Sequence, residues 1–270
     1  PPISRLLYTS SASYLYKRQR ELFRTSQLIC PTSGMAPGYV QTNLAILPMS
    51  YAFDFLLFCQ RNPKPCPLIE VIEPGEYKPI KSAPNADIRF DVPQYRIYKN
   101  GILSKEVENI SDIWRDDLVT FLFGCSFSFE EALIESGINL SHFENNKNVS
   151  MFITNIETTP AGIFSGPTVV SMRSIPRDKL VKTIQVTSRF PNVHGAPIHI
   201  GDPELIGIND ISNPDFGDVN IIKEGEVPVF WACGVTPQAV AMKSKPSLMI
   251  THSPGHMFVT DIKNHEVAVI

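Results

Sequence analysis

Prolines occur along the whole chain, and their spacing limits how long any helix or strand can be. There are 23 prolines in 270 residues, and they are spread out rather than clumped, so no disordered linker is predicted. Between them, short apolar runs alternate with segments of helical length. This alternation predicts an α/β fold with a mixed sheet, helices on both faces, and a second, smaller α/β subdomain.

Five helical regions are predicted, one of them with two helices. "YLYKRQRELFRTSQ" forms an amphipathic opening helix with Leu15, Leu22 and Phe23 inward, and "YAFDFLLFCQRN" forms a helix that stops before Pro63. "SDIWRDDLVTFLFGCSFSFEEALIESG" is predicted to form two helices broken near Gly124. The N-cap of the first would be Asp112, and Ser128 with Glu131 would form a capping box for the second. The others are "PRDKLVKTIQVTSRF" and "TPQAVAMKSK", which begins at a capping Thr236.

The predicted strands are short and become frequent in the last third of the chain. "PLIEVI" reads as a buried strand, and "YRIYKNGILSKEV" as a hairpin that turns at Asn100-Gly101. The remaining strands are "NVSMFITNI", "GPTVVSMRS" and runs around 197–200, 219–222, 228–232, 247–251 and 257–262.

Charge and hydropathy exclude two classes of partner. The formal net charge is −3, so there is no basic field to attract nucleic acid or an anionic membrane. No apolar run approaches the ~18 residues of a transmembrane helix. The chain has five cysteines and no C-x-x-C pair, which indicates reduced thiols in an intracellular compartment.

Four of the six histidines lie in two proline-containing loops. "VHGAPIHIGDP" holds His194 and His199, and "THSPGHMFVTD" holds His252 and His256. Predicted strands end at Asp202 and at His252, and ligands of α/β sheets bind beyond strand ends. We therefore expect His194, His199, Asp202, His252 and His256 to converge on one catalytic pocket. The alternative is that these histidines bond the loop backbone or lie in solvent.

A metal site is a second alternative for this group. His194, His199 and His252 with Asp202 would make an adequate divalent-metal site. However, Pro254-Gly255 rules out a zincin helix between His252 and His256. The expectation is that the protein uses no cofactor.

Several other polar groups are candidates for substrate binding. Arg115 precedes Asp116 and Asp117 and could clamp a carboxylate, although aspartates at a helix start also compensate the helix dipole. Cys125 and Ser126 lie at the predicted helix break, where free N–H groups can face an anion; Cys125 could equally be an inert packing residue. The remaining candidates are Tyr39 and Asn43, polar groups of the glycine-containing segment "GMAPGYVQTNLAILP", and Cys233, which precedes Gly234.

Long ordered segments resemble the hydro-lyase family that includes mitochondrial D-glutamate cyclase. They are "SGMAPGYVQTNLAILP", "DFLLFCQRNPKPCPLIEV", "ADIRFDVPQYRIY", "WRDDLVTFLFGCSFSFEEAL", "RFPNVHGAPIHIGDP", "PVFWACGVTPQ" and "ITHSPGHMFVTD". The resemblance runs from about residue 20 to 263. It implies residues 20–270 as one domain of two intertwined α/β subdomains, after a helical lead-in over 1–19, and truncation of this lead-in upstream is left open.

The resemblance also implies a reaction, the reversible dehydration of D-glutamate to 5-oxo-D-proline. His199 or His252 would be base or acid, with Asp202 orienting one imidazole. Arg115 would hold a carboxylate, and Asn43 with backbone N–H groups would bind the oxyanion. The implied location is the mitochondrial matrix in a eukaryote and the cytoplasm in a bacterium. The partner is a small amino acid, and a homo-oligomer is left open.

Two rival functions are compatible with the same residues. One is a metal-dependent hydrolase or lyase acting on another small amino or hydroxy acid. The other is a non-catalytic module that binds a small metabolite.

Overall fold

Two antiparallel sheets form the framework of the computed structural model, which describes residues 12–145 and 147–269, without the side chains of 12–16. The strands are β1 (Tyr39–Pro48), β2 (Leu68–Ile72), β3 (Tyr95–Lys99), β4 (Ile102–Val107), β5 (Leu118–Gly124), β6 (Ser150–Glu157), β7 (Pro167–Pro176), β8 (His199–Ile200), β9 (Glu226–Ala232), β10 (Met249–His252) and β11 (Phe258–Lys263). The helices are α1 (Ala12–Arg24), α2 (Met49–Arg61), α3 (Phe127–Glu135), α4 (Ser141–Glu144), α5 (Leu180–Ser188) and α6 (Thr236–Ser244).

The larger sheet has seven strands in the order β2-β5-β1-β10-β3-β4, with β11 also on β1, and the smaller has the order β6-β7-β9-β8. The predicted α/β class is confirmed. All strand pairs within the described residues are antiparallel, whereas the sequence analysis expected a mixed sheet. Tight turns explain part of this difference: Asn100 and Gly101 both adopt positive φ and join β3 to β4, as predicted.

Strand β1 lies at the centre of the larger sheet and is buried along its whole length. One edge pairs with β5 from Thr42 to Pro48. The other edge is shared, because β11 pairs with the first part of β1 up to Thr42 and β10 pairs with Ala45 and Ile46. We call the interval at Asn43 and Leu44 the split. At this interval, residues 253–257, which connect β10 to β11, lie outside the sheet.

Apolar clusters cover both faces of the larger sheet. On one face, helices α2 and α6 pack onto β1 and β5, and Phe55 contacts the rings of Phe121 and Phe164 with centroids 5.0 Å apart in each case. On the other face, Leu44 and Ile46 pack among residues of the segment between β2 and β3. Because both faces of the sheet are buried, these strands need no alternation of apolar and polar residues, which explains the continuous apolar run 44–47 of β1 and the mostly apolar β5.

The helix predicted over 112–124 is wrong. Residues 118–124 form the central strand β5, and only a short 3-10 turn at Ser111–Ile113 precedes it, so Asp112 caps no α-helix. The predicted capping box is also wrong, because α3 starts at Phe127. The Ser128 hydroxyl lies 3.1 Å from the backbone N of Gln41, and Glu131 accepts a bond from the N–H of Gly38.

The other element predictions mostly agree with the structure. Helix α6 begins at Thr236 as predicted, but the Thr236 hydroxyl donates to Cys233 O rather than capping the helix. The stretch 219–222 contains no strand, and β2 is a partly exposed edge strand rather than a buried one. In α1, Phe23 is buried and Leu22 half-buried; the Leu15 side chain lies outside the described residues. None of the helices in the described part of the chain is long and apolar enough to cross a membrane.

Candidate active site

The split in the larger sheet gathers buried polar atoms that have no hydrogen-bond partner. They belong to β1 and to the end of β10. Buried polar groups in proteins are nearly always paired, so such a concentration points to a ligand or water. The atoms are Gln41 Oε1, Asn43 Oδ1, His252 Nε2 and Ser253 Oγ.

The imidazole of His252 fills the split and contacts the β1 backbone. Its Nδ1 lies 3.2 Å from the N and 3.4 Å from the O of Leu44. Either neutral tautomer therefore finds a partner on Leu44, and Nε2 can carry a proton or a lone pair without movement of the ring. Burial lowers the pKa of His252 to about 3, so the ring is neutral near pH 7.

The side chain of Asn43 lies against Gly234, in the turn that precedes α6. Its Nδ2 donates to Gly124 O at 2.9 Å, which orients the amide. A methyl group at Gly234 would stand 2.1 Å from Asn43 Cγ, so only glycine permits this approach. The free atom is the carbonyl Oδ1, an acceptor. The oxyanion-donor role predicted for Asn43 does not fit this arrangement.

Cys125 and Cys233 are free, buried thiols that belong to one apolar cluster beside the split. Burial raises the pKa of Cys125 well above its usual value and that of Cys233 to about 11. Both are therefore protonated thiols near neutral pH. A thiolate nucleophile is not favoured at either position, in agreement with the packing alternative.

A buried ion-pair network links α3 to β7 next to these thiols. Arg173 donates to Glu130 Oε1 from Nη2 at 2.6 Å and from Nε at 3.0 Å, and to Ser126 Oγ at 2.9 Å. Nε2 of His142 lies 3.0 Å from the same carboxylate oxygen. Burial alone would raise the pKa of Glu130, but His142 and Arg173 lower it to about 2, so the carboxylate is charged. Ser126, predicted to face an anionic ligand, faces this guanidinium instead.

His194 approaches β1 from the other edge. The turn before it packs against Gly124, where a Cβ would stand 1.9 Å from Asn192 O. His194 has a φ of +82°, a strained value for a non-glycine residue. Its Nδ1 lies 2.8 Å from Lys64 O, while Lys64 Nζ donates back to His194 O at 3.2 Å. Burial lowers the pKa of His194 to about 4.

Arg96 on β3 supplies a cation on the β10 side of the split. It lies opposite Thr251 in the sheet and donates to Glu106 at 2.6 Å and to Gln238 Oε1 at 3.5 Å. Its charge contributes to lowering the pKa of both His252 and His256, although burial is the largest cause for each. His256 Nδ1 lies 3.1 Å from Pro254 O within the same loop.

The predicted convergence on one pocket is wrong for four residues. His199 is on β8 at the edge of the smaller sheet; its Nε2 contacts the backbone O of Asp202 at 2.7 Å, so the exposed Asp202 carboxylate does not orient it. Arg115 forms an exposed pair with Asp117, with 51% of its side chain accessible. Tyr39 packs at the start of β1 with Phe23 and Val259. The remaining candidates do gather around the split: Asn43, Cys125, Ser126, His194, Cys233, His252 and His256.

The metal alternative finds no support in the geometry. Over residues 12–145 and 147–269, no three His, Cys, Asp or Glu side chains are grouped as metal ligands.

Arg96, Glu130, His142 and Arg173 were not among the predicted site residues. Arg173 could have been noticed, because it is the one charge in the apolar strand "PTVVSMRSIP".

The sequence matches the family model described as D-glutamate cyclase over residues 119–261. A protein of Geobacillus kaustophilus named "Putative hydro-lyase" is 57% identical over 97% of this chain and 100% of its own length. One from Thermoanaerobacter sp. with the same designation is 62% identical over 92% of this chain and 94% of its own, and one from Bacillus subtilis is 58% identical over 94% and 99%.

Among solved structures, a nitrogen repressor-like protein from Methanococcus jannaschii aligns with a TM-score of 0.38 at 10% identity, covering 88% of this chain and 91% of its own. This similarity is too low to carry an argument. The similarity to the hydro-lyases, in contrast, extends over 92% to 97% of the chain. The chain belongs to the D-glutamate cyclase family of hydro-lyases and is an enzyme of the lyase class.

Proposed function

We propose that this enzyme catalyses the reversible cyclisation of D-glutamate to 5-oxo-D-proline and water, and that the reaction occurs at the split. One observation supports the proposal for a chain of this family: four buried polar atoms of β1, β10 and Ser253, the residue after β10, lack partners within the described residues. Hydrogen-bonding groups of an amino acid substrate would satisfy them. The bacterial relatives support a bacterial cytoplasmic location.

His252 would transfer the protons. Ring closure forms a bond from the α-amino nitrogen to the γ-carboxyl carbon and breaks a C–O bond, whose oxygen departs as water. Starting from the ammonium group and the γ-carboxylate, the nitrogen must lose two protons and the departing oxygen must gain two, because the product nitrogen keeps one hydrogen and the oxygen leaves as water. A neutral imidazole can carry these protons one at a time from the nitrogen to the oxygen, and Leu44 can bond either neutral tautomer of His252.

Arg96 would hold a substrate carboxylate. It is the cation beside His252, on the neighbouring strand, and is only about a fifth exposed. Arg173 is less suited, because Glu130, Ser126 and Ser171 already occupy its guanidinium. This assignment replaces Arg115, whose exposed pair with Asp117 lies on the surface.

The test is NMR of the protein incubated separately with D-glutamate, L-glutamate and both enantiomers of 5-oxoproline. We expect interconversion of the D pair. His252→Gln should lower kcat by about 100-fold or more, in the range of lost proton transfer. His199→Ala is the matched control on the edge of the smaller sheet and should keep the wild-type rate.

Two outcomes would contradict the proposal. Binding of D-glutamate with no product in any incubation would make the protein a binding module. A His252→Gln protein with the wild-type rate would remove His252 from the chemistry.

A further inference from the structure

We infer that Gln41 and Asn43 together bind the amino group of the substrate, and that this pair selects amino acids over acids that lack an amine. The inference rests on the proposed function, because it assumes that the substrate enters the split. It goes further by assigning recognition of one substrate group to two named side chains.

The orientation of both amides is fixed by their own hydrogen bonds. Gln41 Nε2 donates to Thr32 O and to Met35 O, each at 2.9 Å. Asn43 Nδ2 donates to Gly124 O at 2.9 Å. Flipping either amide would set its oxygen against a backbone carbonyl. The unpartnered atoms are therefore the oxygens, Gln41 Oε1 and Asn43 Oδ1, and both are hydrogen-bond acceptors.

The two oxygens belong to one face of β1. Gln41 and Asn43 are two positions apart in a regular stretch, paired to β11 through Gln41 and Thr42 and to β5 through Thr42 and Asn43. Alternate residues of a strand share a face, so their Cα atoms are about 7 Å apart. Both side chains are almost completely buried, with 3% and 1% of their surface exposed. Leaving two buried acceptors unpaired is costly unless a ligand pairs with them.

A ligand that satisfies two neutral oxygens must bring at least two donors. A substrate carboxylate brings none and would be repelled by both. An amino group brings two N–H bonds when neutral and three when charged. Two oxygens are too few for a metal ion, which takes six or more oxygen ligands when hard.

This geometry also suits the chemistry. Two N–H bonds of the amine would be held by Gln41 Oε1 and Asn43 Oδ1, which leaves the third for the base that ring closure needs. The imidazole of His252 adjoins the next residue of β1, with Nδ1 3.2 Å from Leu44 N. Once His252 takes that third proton, the nitrogen lone pair is uncovered while the two amides still hold the amine. The lone pair is then available to the γ-carboxyl carbon. A second proton leaves the nitrogen after the C–N bond has formed, because the product nitrogen keeps a single hydrogen.

The test compares D-glutamate with glutarate, the same diacid without the amine, by thermal-shift titration of the full chain, with turnover followed by NMR on the same samples. Wild type should bind D-glutamate at least about 30-fold more tightly than glutarate. In Asn43→Leu, which keeps the branching of the side chain, and in Gln41→Met, the ratio should fall below about 3-fold. Asn220→Ala is the matched control, because Asn220 is a buried amide with an unpartnered oxygen on the smaller-sheet side.

The outcomes separate this inference from the proposed function. Equal affinity of wild type for the two ligands, or binding of neither, overturns the inference whatever the variants do. Turnover of D-glutamate with an unchanged affinity ratio in a folded Asn43→Leu protein overturns the inference and leaves the function standing. No turnover, with an amine preference that Asn43→Leu abolishes, supports the inference and overturns the function. If Asn220→Ala lowers the affinity ratio of D-glutamate to glutarate as much as Asn43→Leu does, the effect is due to lost stability, and the inference is overturned as well.

Discussion

His194 and His252 are imidazoles that folding removes from water. Burial lowers their pKa values to about 4 and about 3, against about 6.5 in an unfolded chain. As the pH falls below 6.5, the unfolded chain therefore takes up protons that the folded chain does not. Each residue contributes stability that is present above pH 6.5 and is lost as the pH falls toward its folded pKa.

We expect the free energy of unfolding in urea to fall by about 2 kcal/mol between pH 7 and pH 5.5, about 1 kcal/mol for each of the two histidines. His256, whose pKa burial also lowers, acts in the same direction. His252→Gln should remove about half of the effect. Stability that does not change over this pH range would contradict the burial of these rings.

At this scale the sequence is informative about residues next to strand ends and glycines. Cys233 and His252 stand at such positions and lie at the split, whereas Asn43, which also lies there, stands in the middle of β1. His199 and Asp202 stand at a strand end too, but β8 pairs only with β9 at the edge of the smaller sheet. The sheet that a strand joins depends on its pairing with residues far away in the sequence, and this pairing cannot be predicted from a single sequence.

At the scale of elements, the sequence predicts a helix where strand β5 forms, and this error has a physical reason. "LVTFLFG" is a continuous apolar run, and such a run fits a strand buried on both faces as well as a buried helix. Its β-branched and aromatic residues favour the strand. Helix α2 and the β3–β4 hairpin were predictable, because the first has the length and the stop signal of a helix and the second has Asn-Gly at its turn.

The ion pair between α3 and β7 allows a prediction about how these elements are joined. Arg173→Met should destabilise the protein by about 3–5 kcal/mol, because it leaves the Glu130 carboxylate buried and uncompensated. Adding Glu130→Gln should recover part of that loss, since the unpaired charge is then removed. Both changes can be measured by urea unfolding.

A matched comparison is available on the surface. Arg115→Ala removes an exposed pair with Asp117 and should cost less than about 1 kcal/mol. If Arg173→Met cost as little as Arg115→Ala, or if the double variant were less stable than Arg173→Met alone, the buried pair would not act as a charge pair joining α3 to β7.

At the scale of the whole molecule, the class could be predicted and the topology could not. Alternating helices and strands indicated α/β, and that is what the chain forms. The strand order, with β1 between β5 and β10, depends on pairs far apart in the sequence. Local periodicity contains no information about such pairs, so neither the antiparallel pairing nor the split was foreseeable.

We expect refolding to restore helical and strand circular dichroism before it restores binding of D-glutamate. His252 and Leu44 are 208 positions apart along the chain, and contacts of such separation form late because closing the loop costs entropy. After dilution from urea, stopped-flow circular dichroism would measure the recovery of secondary structure. Competition between D-glutamate and a fluorescent ligand would measure the recovery of binding. Recovery of both signals with one rate constant would contradict this order.

The shared edge of β1 also has a consequence for synthesis of the chain. On the ribosome, β1 emerges early, and the strands that complete its second edge emerge more than two hundred residues later. Until then one edge of a strand that is buried in the folded protein remains unpaired, so the nascent chain exposes an aggregation-prone edge that a chaperone must shield. Catalytic competence and protection from aggregation would thus arrive together, with the same pair of late strands.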